Sequence, residues 1–368
     1  MKSSLIILSL LLSSTLSFAQ YEMKTNYLSL GGETTSQTRL TYKNLHLYPI
    51  YAGKSFQQAH ADIGRYDNLK QALEEKKVRI TEVGNGAETP LSNMNALPPN
   101  NREEPLRIDS LEIQQVLQEP TLQAVQQELQ NQSIGSGARV NTLMIENTSS
   151  DSIFLMAGEV VKGGKQDRVL AQDVVLPPNS GQVDLSVFCV EHSRWRVKEG
   201  DSAVFDGYFG VASNRIRKVA VVDKNQSMVW KNVDVVTKKN QAMTHTKTLT
   251  ALTQSEEYQE QLQAYEAYFV RELRSRRRCV GFVGVTGDQI IGMDVFATPD
   301  LFQNQMTHLL HAYITETISE GSKVEVKEEE VMAYMMEFLE NEAQQEEKLK
   351  ERGSAFKRGG RTLHLSTY

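Results

Sequence analysis

No stretch after the first twelve residues approaches about 18 apolar residues, so the sequence offers no stable membrane-spanning helix. Basic residues are also in the minority, because 40 lysines and arginines stand against 46 acidic residues and give a net charge of −6. This balance repels a polyphosphate chain. We therefore expect neither an integral membrane segment nor a nucleic-acid partner.

Three common catalytic motifs are also missing. The seven histidines never form His-Glu-x-x-His, and His308 with His311 has no evident third ligand, so we expect no bound metal. The chain has no Gly-x-Ser-x-Gly, and residues 135–139 lack the Lys-Ser/Thr pair of a phosphate-binding loop. We predict no cofactor, and whether the protein is an enzyme stays open.

Cysteine is scarce, with only Cys189 and Cys279 in 368 residues. Val183, Leu185, Val187 and Cys189 alternate along one predicted strand, which places the Cys189 thiol on its apolar face. Three states stay open for this thiol: a buried free cysteine, a disulfide that closes a long loop, and a nucleophile.

The first nineteen residues have the pattern of a secretory signal peptide. Lys2 precedes the apolar stretch Leu5–Leu12, and Ser17 and Ala19 are the small residues that signal peptidase requires. Cleavage after Ala19 makes Gln20 the first residue and leaves 39 basic against 46 acidic residues, a net charge of about −7. We expect an exported protein, either periplasmic or secreted.

The remaining chain is predicted to be one large α+β domain, residues 40–368, preceded by an N-terminal segment, residues 20–39. Alternation predicts a strand over residues 40–51, a short helix over 68–75 and a strand at VRITE, residues 78–82. The region near 84–137 is rich in Asn, Pro, Gly and Gln and is predicted to be a polar insertion.

The centre of the domain is predicted to be rich in β-structure. Residues 138–159 read as two strands joined in a hairpin by the polar turn 147–151. A second strand pair, RVLAQDVVL and GQVDLSVFCVE, flanks a Pro-Pro-Asn-Ser-Gly turn at residues 177–181.

The last third is predicted to be mainly helical. Apolar residues at helical spacing predict a helix over 255–274, and Thr298 and Pro299 begin another that runs to about Ile318. Between them lies a hairpin across residues 286–288, and an acidic helix is predicted near 325–352. The first of these helices takes its apolar stripe from Tyr258, Leu262, Tyr265, Phe269 and Leu273.

The first candidate site segment follows an apolar strand that abruptly becomes polar. A Gly-Gly turn can point successive backbone N–H groups outward as a small anion-binding nest, which neighbouring cations reinforce. An ordinary charged hairpin is the alternative. The candidate ligand-binding residues here are Glu159, Lys162, Gly163, Gly164, Lys165, Gln166, Asp167 and Arg168.

The second candidate segment is CVEHSRW, in which Glu191 continues the apolar face where its strand should end. A carboxylate in that position needs a partner, and Arg194 is the natural one. Trp195 offers an aromatic surface for a ring or a sugar. The alternative is a structural Glu–Arg pair beside a tryptophan that fills the core.

Together the two segments resemble a known family, the domain associated with ADP-ribosylglycohydrolases and rhodanese-phosphatase proteins. The similarity rests on GEVVKGGKQDR and CVEHSRW, with weaker matches at LYPIY, RITE, VGFVGV, MDVF and LHLSTY, so that it spans roughly residues 45–368. The chain departs from the family in its leader, its polar insertion and its acidic helix. The resemblance implies recognition or processing of NAD-derived or sugar-phosphate-like molecules.

We therefore expect binding of a small polar or anionic ligand, such as a nucleotide-sugar, an ADP-ribose-like molecule or a sugar phosphate, in a charged cleft. One alternative is a hydrolase that uses Glu159 and Glu191 as acid and base, and another is a structural envelope protein with an internal charged network. An open cleft at these two glutamates favours a ligand, and closed buried pairs favour structure. The sequence does not determine the oligomeric state.

Overall fold

The computed structural model describes Met23 and residues 28–31, 39–83, 141–194, 204–339 and 342–368. The predicted signal peptide, the predicted insertion near 84–137 and Trp195 lie outside the described residues.

The described residues form a mixed α+β domain, which confirms the predicted fold class. The strands, in chain order, are β1 Leu28–Leu30, β2 Leu40–Tyr42, β3 Leu45–Ala52, β4 Asp67–Asn68, β5 Val78–Glu82, β6 Thr142–Asn147, β7 Ile153–Leu155, β8 Glu159–Gly163, β9 Arg168–Leu170, β10 Val174–Leu176, β11 Gly181–Cys189, β12 Phe205–Val211, β13 Cys279–Thr286, β14 Gln289–Phe296, β15 Gly353–Arg358 and β16 Arg361–Thr367. The α-helices are α1 Lys54–Ala59, α2 Leu69–Glu74, α3 Asn214–Lys218, α4 Gln226–Lys239, α5 Glu256–Arg274, α6 Pro299–Glu320, α7 Glu328–Leu339 and α8 Glu342–Arg352. A π-helical turn, Val219–Asp223, follows α3, and a 3₁₀ turn, Leu249–Gln254, precedes α5.

The strands form three sheets within the described residues. The largest has the order β1-β3-β13-β14-β16-β15, with β2 also paired to β3, and the second has the order β12-β8-β9-β11-β6-β5. A small sheet, β10-β7-β4, contains the parallel pair β4 and β7, and the other pairs of neighbouring strands are antiparallel. Strand β1 lies in the predicted N-terminal segment, so that segment contributes to the largest sheet.

The largest sheet is covered on both faces, because alternate residues of its strands enter different cores. On β3, Leu45 and Leu47 belong to the core formed with α5 and α6, whereas Tyr48 and Ile50 belong to the core formed with α7. A third core joins α2 to the second sheet. The candidate segments therefore lie in the sheet that α2 covers.

Several elements agree with the sequence predictions. Helix α5 buries the five residues of its predicted stripe, and Thr298 caps α6, whose Leu301 N–H donates to the threonine hydroxyl at 3.1 Å. Helix α6 extends to Glu320, two residues beyond the predicted end. Strands β13 and β14 form the predicted hairpin.

The pairing of β6 with β7 and the single acidic helix were predicted wrongly, and the strand pair on either side of residues 177–181 is confirmed in part. Strands β6 and β7 do not form a hairpin, because β6 pairs with β5 and β11 while β7 pairs with β10 and β4 in another sheet. The segment RVLAQDVVL contains two strands, of which β9 pairs with β11 and β10 pairs with β7. The strand predicted over 40–51 is a short hairpin of β2 and β3, and the acidic region contains two helices, α7 and α8.

Candidate functional site

The Gly163-Gly164 turn between β8 and β9 uses the conformational freedom of both glycines. Gly163 has a φ of 132° and Gly164 a φ of 52°, values that L side chains rarely adopt. A Cβ on Gly164 would lie 2.5 Å from the Phe205 ring, and one on Gly163 would overlap the Val204 carbonyl oxygen. The turn is therefore pressed against the start of β12.

The backbone N–H groups of this turn bind protein acceptors. The Gly163 N–H donates to Asp167 Oδ1 at 3.2 Å, and the Gly164 N–H donates to the Val204 carbonyl at 3.3 Å. The Lys165 N–H donates to Glu82 Oε1 at 3.1 Å. The anion nest that the sequence predicted is therefore occupied by acceptors of the protein itself.

Glu191 and Arg194 form the pair that their chemistry predicted. Arg194 Nε lies 2.9 Å from Glu191 Oε1 and Arg194 Nη2 lies 2.7 Å from Glu191 Oε2, so the contact is bidentate. Glu191 is 0% exposed and Arg194 is 5% exposed. Arg194 Nη1 also donates to the Gly164 carbonyl at 2.8 Å, and the Asp167 N–H donates to Glu191 Oε2 at 3.2 Å. The two candidate segments therefore meet in one place.

Asp167 is surrounded by hydrogen-bond donors. Its Oδ2 accepts from the hydroxyls of Thr248 and Thr250 at 3.0 and 2.9 Å, which ties the turn to the 3₁₀ helix. Arg194 Nη2 lies 3.7 Å from its Oδ1. This carboxylate is thus compensated by one cation and several neutral donors.

Arg168 is fully buried at the start of β9. Its Nη1 donates to the Gln166 carbonyl at 2.6 Å, and its Nη2 lies 3.6 Å from Glu82 Oε1. The Gln166 amide donates to the His192 carbonyl at 3.3 Å. We refer to the buried side chains of Glu82, Gln166, Asp167, Arg168, Glu191 and Arg194 as the Glu191 cluster.

The sequence analysis missed Glu82, Thr248 and Thr250. Glu82 ends the strand VRITE on the buried side of its alternation, and that position of a carboxylate was a usable signal. The two threonines had no comparable signal. Of the remaining predicted residues, Lys162 and Lys165 are half-buried.

Glu159 has different partners from the Glu191 cluster. Its Oε2 accepts from the Met156 N–H at 2.7 Å, and its Oε1 accepts from the Tyr208 hydroxyl at 3.0 Å. Burial, together with the nearby charge of Asp173, raises the pKa of Glu159 to about 8, so it is mostly protonated at neutral pH. Both Glu159 and Glu191 are fully buried in closed contacts with protein groups. These contacts offer no support for an acid–base pair of Glu159 and Glu191.

A second buried charged group was not predicted. His364 lies between two carboxylates, with Nδ1 2.7 Å from Asp173 Oδ2 and Nε2 3.0 Å from Asp294 Oδ1. Arg217 binds Asp294 in a bidentate contact at 2.8 and 3.1 Å. The carboxylates raise the pKa of His364 to about 9 despite its burial, and Arg217 and His364 hold the pKa of Asp294 well below its ordinary value. We refer to Asp173, Arg217, Asp294 and His364 as the His364 network.

The fold and these contacts define a mixed α+β protein with charged groups closed inside its core. The chain belongs to the family described as the ARG and Rhodanese-Phosphatase-superfamily-associated Protein domain, whose model matches residues 33–361. The resemblance inferred from the two candidate segments is thereby confirmed. Searches of curated proteins and of solved structures found no significant match.

None of the helices in the described part of the chain combines the length and the apolar character that crossing a bilayer requires. Among the same residues, no group of three or more His, Cys, Asp and Glu side chains is arranged to hold a metal ion.

Proposed function

We propose that this protein is exported and that the Glu191 cluster is an internal charged support of its fold. The observation that carries this proposal is that the cluster is buried and internally paired. Its charged members are at most 5% exposed, and each has an ionic or hydrogen-bond partner. Of the three roles expected from the sequence, an internal charged network fits this geometry best.

A double-mutant cycle on Arg168→Ala and Glu191→Ala tests this role. The two residues are linked through a single peptide group, because Arg168 binds the Gln166 carbonyl and Glu191 binds the Asp167 N–H on the other side of that bond. Each single change leaves buried charge uncompensated, so we expect each to lower the free energy of unfolding by about 3–5 kcal/mol. We also expect the double variant to lose less than the sum.

Asp62→Ala is the control, since Asp62 binds Arg361 in a bidentate pair whose aspartate side chain is 68% exposed. This substitution should lower the free energy of unfolding far less than either substitution in the cluster, because solvent screens an exposed ion pair. Additivity of the Arg168 and Glu191 effects within about 0.5 kcal/mol would show that the two residues are independent and would remove the proposed support.

Ligand binding, with or without hydrolysis, is a second candidate function that one observation favours. Glu159 is a carboxylic acid kept protonated to about pH 8 and bonded to the half-buried Tyr208, as a proton donor requires. A thermal-shift screen with nucleotides, ADP-ribose, sugar phosphates and glycans tests it, because a ligand of the native state raises the melting temperature. Absence of any shift across the screen would count against this candidate.

A further inference from the structure

Helix α6 is buried along most of its length yet carries a row of polar side chains. Asn304, His308, His311 and Thr315 follow each other at intervals of four, three and four residues, so they lie along one side of the helix, and Gln305 precedes His308 by three residues. The Gln305 amide is fully buried and forms no hydrogen bond with any described residue. Asn304, His311 and Thr315 are hydrogen-bonded to other protein groups, whereas Gln305 and His308 form no hydrogen bond with a described residue.

Asn304 and His308 are the half-buried members of this row. The His308 ring meets the edge of the Tyr208 ring with 5.4 Å between the centroids. Within the described part of the chain, its ring nitrogens form no hydrogen bond. Burial and the nearby charge of Lys70 lower the pKa of His308 to about 4, so the neutral imidazole offers one donor and one acceptor.

Tyr208 is directed toward this position by an irregular strand. The pairing of β12 with β8 shifts register between Phe205 and Gly207 and again between Tyr208 and Gly210, so the irregularities flank Tyr208. Bulges of this kind redirect side chains and are frequent beside functional sites. The Tyr208 hydroxyl is anchored below on the buried Glu159 at 3.0 Å.

Two oppositely charged side chains border the same position. The Asn68 amide, at the cap of α2, donates to Asn304 Oδ1 at 2.9 Å, which fixes α2 and its exposed Lys70 beside α6. Glu266 of α5 is half-buried, and no described residue forms an ion pair or hydrogen bond with its carboxylate. Burial raises the pKa of Glu266 to about 7, and Lys70, which also pairs with Glu74 at 3.8 Å, acts electrostatically on both Glu266 and His308.

We propose that Tyr208, His308, Glu266 and Lys70 form a binding site for a small neutral molecule with several hydroxyl groups, such as a monosaccharide. Hydroxyl groups both donate and accept, which suits the neutral imidazole of His308 and the carboxyl group of Glu266, and the tyrosine ring offers a surface to the apolar face of a sugar. Above about pH 7 Glu266 is ionised, so a phosphate would meet a carboxylate there.

This site deepens the ligand-binding candidate and is separate from the Glu191 cluster. A negative result with sugars would not bear on the structural role of the Glu191 cluster, which the double-mutant cycle tests. Additivity in that cycle would not bear on the proposed sugar site.

Nuclear magnetic resonance of ¹³C-histidine-labelled protein tests the site, with the His308 signal assigned by His308→Gln. We expect D-ribose, added to about 100 mM, to shift the His308 signal in a saturable way, and D-ribose 5-phosphate to bind more weakly. At about pH 8, where Glu266 is ionised, Glu266→Gln should weaken ribose binding about tenfold, the effect of losing one charge-assisted hydrogen bond.

Glu260→Gln is the matched control, because Glu260 lies on the same helix and is exposed, and it should leave ribose binding unchanged. Where Glu266→Gln fails to fold, Lys70→Gln is measured instead and should weaken binding similarly. The proposal is overturned if neither ribose nor glucose moves the His308 signal, if the phosphate binds more tightly than ribose, or if the Glu266 and Glu260 variants bind alike.

Discussion

The thiol of Cys189 occupies the end of β11 where the Glu191 cluster meets the hydrophobic core. Cys189 and Cys279 are both free and fully buried, which settles the state that the sequence left open between a free thiol and a disulfide. Burial raises the pKa of Cys189 to about 11 and that of Cys279 to about 12. Neither thiol has the character of a nucleophile at neutral pH, because the thiolate is the reactive form.

We expect both cysteines to resist alkylation in the folded protein. Iodoacetamide should label Cys189 and Cys279 only after denaturation, because folded burial blocks access and disfavours the thiolate. Mass spectrometry of the native and the denatured protein, each treated for the same time, measures the difference. Rapid modification of native Cys189 would contradict the assignment and reopen the nucleophile.

Of two ion pairs in the Glu191 cluster, one could be predicted from neighbouring residues and the other could not. The pairing of Glu191 with Arg194 follows from three residues of separation and from a carboxylate on an apolar face. The contact of Arg168 with Glu82 depends on how β5, β6, β11 and β9 are ordered in the sheet, and that order is set by contacts distant in sequence.

The turn between β8 and β9 shows the same limit for an element. The glycine pair predicted an unusual backbone, whereas the direction of its N–H groups followed from Glu82 and Val204, which come from other parts of the chain. The helical spacing of apolar residues was enough to predict α5, because the residues of that stripe are close in sequence. The pairing of β6 with β7 was predicted wrongly, because the partners of both strands lie elsewhere in the chain.

Gly163→Ala should therefore disturb the turn far more than an alanine at an open glycine. Its φ of 132° is available almost only to glycine, and a Cβ there overlaps the Val204 backbone, so we expect a loss of about 3 kcal/mol or more in the free energy of unfolding. Urea denaturation of the wild type and the variant measures the loss.

Gly181→Ala is the matched control. Gly181 also has a positive φ, 63°, but no atom lies within 4 Å of its added Cβ, so about 1–2 kcal/mol is expected from the backbone alone. Equal losses at the two positions would mean that the Gly163 turn is not held against β12.

At the scale of the whole molecule, export predicts where the mature chain begins. The cationic Lys2, the apolar stretch after it and Ala19 predict cleavage that leaves Gln20 as the first residue. Mass spectrometry of the protein from its native host should find a chain without residues 1–19. An Ala19→Arg variant should be exported with the leader attached, since a large charged residue blocks cleavage, and an intact leader on the wild-type protein would remove the proposal of a cleaved signal.

The His364 network joins distant parts of the chain. His364 and Asp294 lie on β16 and β14 of the largest sheet, Arg217 lies on α3, and Asp173 lies between β9 and β10. The Ala157 N–H donates to Asp173 Oδ1 at 2.7 Å, so the network extends to the segment that precedes Glu159. Ionisation of these side chains therefore affects contacts that hold β14, β16, α3 and the segment before Glu159 together.

The pKa shifts of this region predict how His364, Glu159 and Asp294 contribute to the pH dependence of stability. His364 has a folded pKa of about 9 against an ordinary value of 6.5, so its stabilising contribution is complete below about pH 6.5 and is lost as the pH rises through 9. Glu159 has a folded pKa of about 8 against 4.5, so the native state keeps a proton that the unfolded chain releases, and stability falls between these values. Asp294 has a lowered pKa, so its contribution is lost as the pH falls below about 4.

Urea denaturation between about pH 4 and pH 9, compared between the wild type and single variants, isolates these contributions, because each shifted group adds a slope of up to about 1.4 kcal/mol per pH unit. Glu159→Gln should match the wild type near pH 5 and become relatively more stable toward pH 8, since glutamine has no proton to lose and retains an acceptor for the Met156 N–H. His364→Gln should be much less stable than the wild type near pH 5, and the difference should shrink toward pH 9. Profiles of both variants that run parallel to the wild-type profile would show that these two side chains ionise in the folded protein as they do in the unfolded chain.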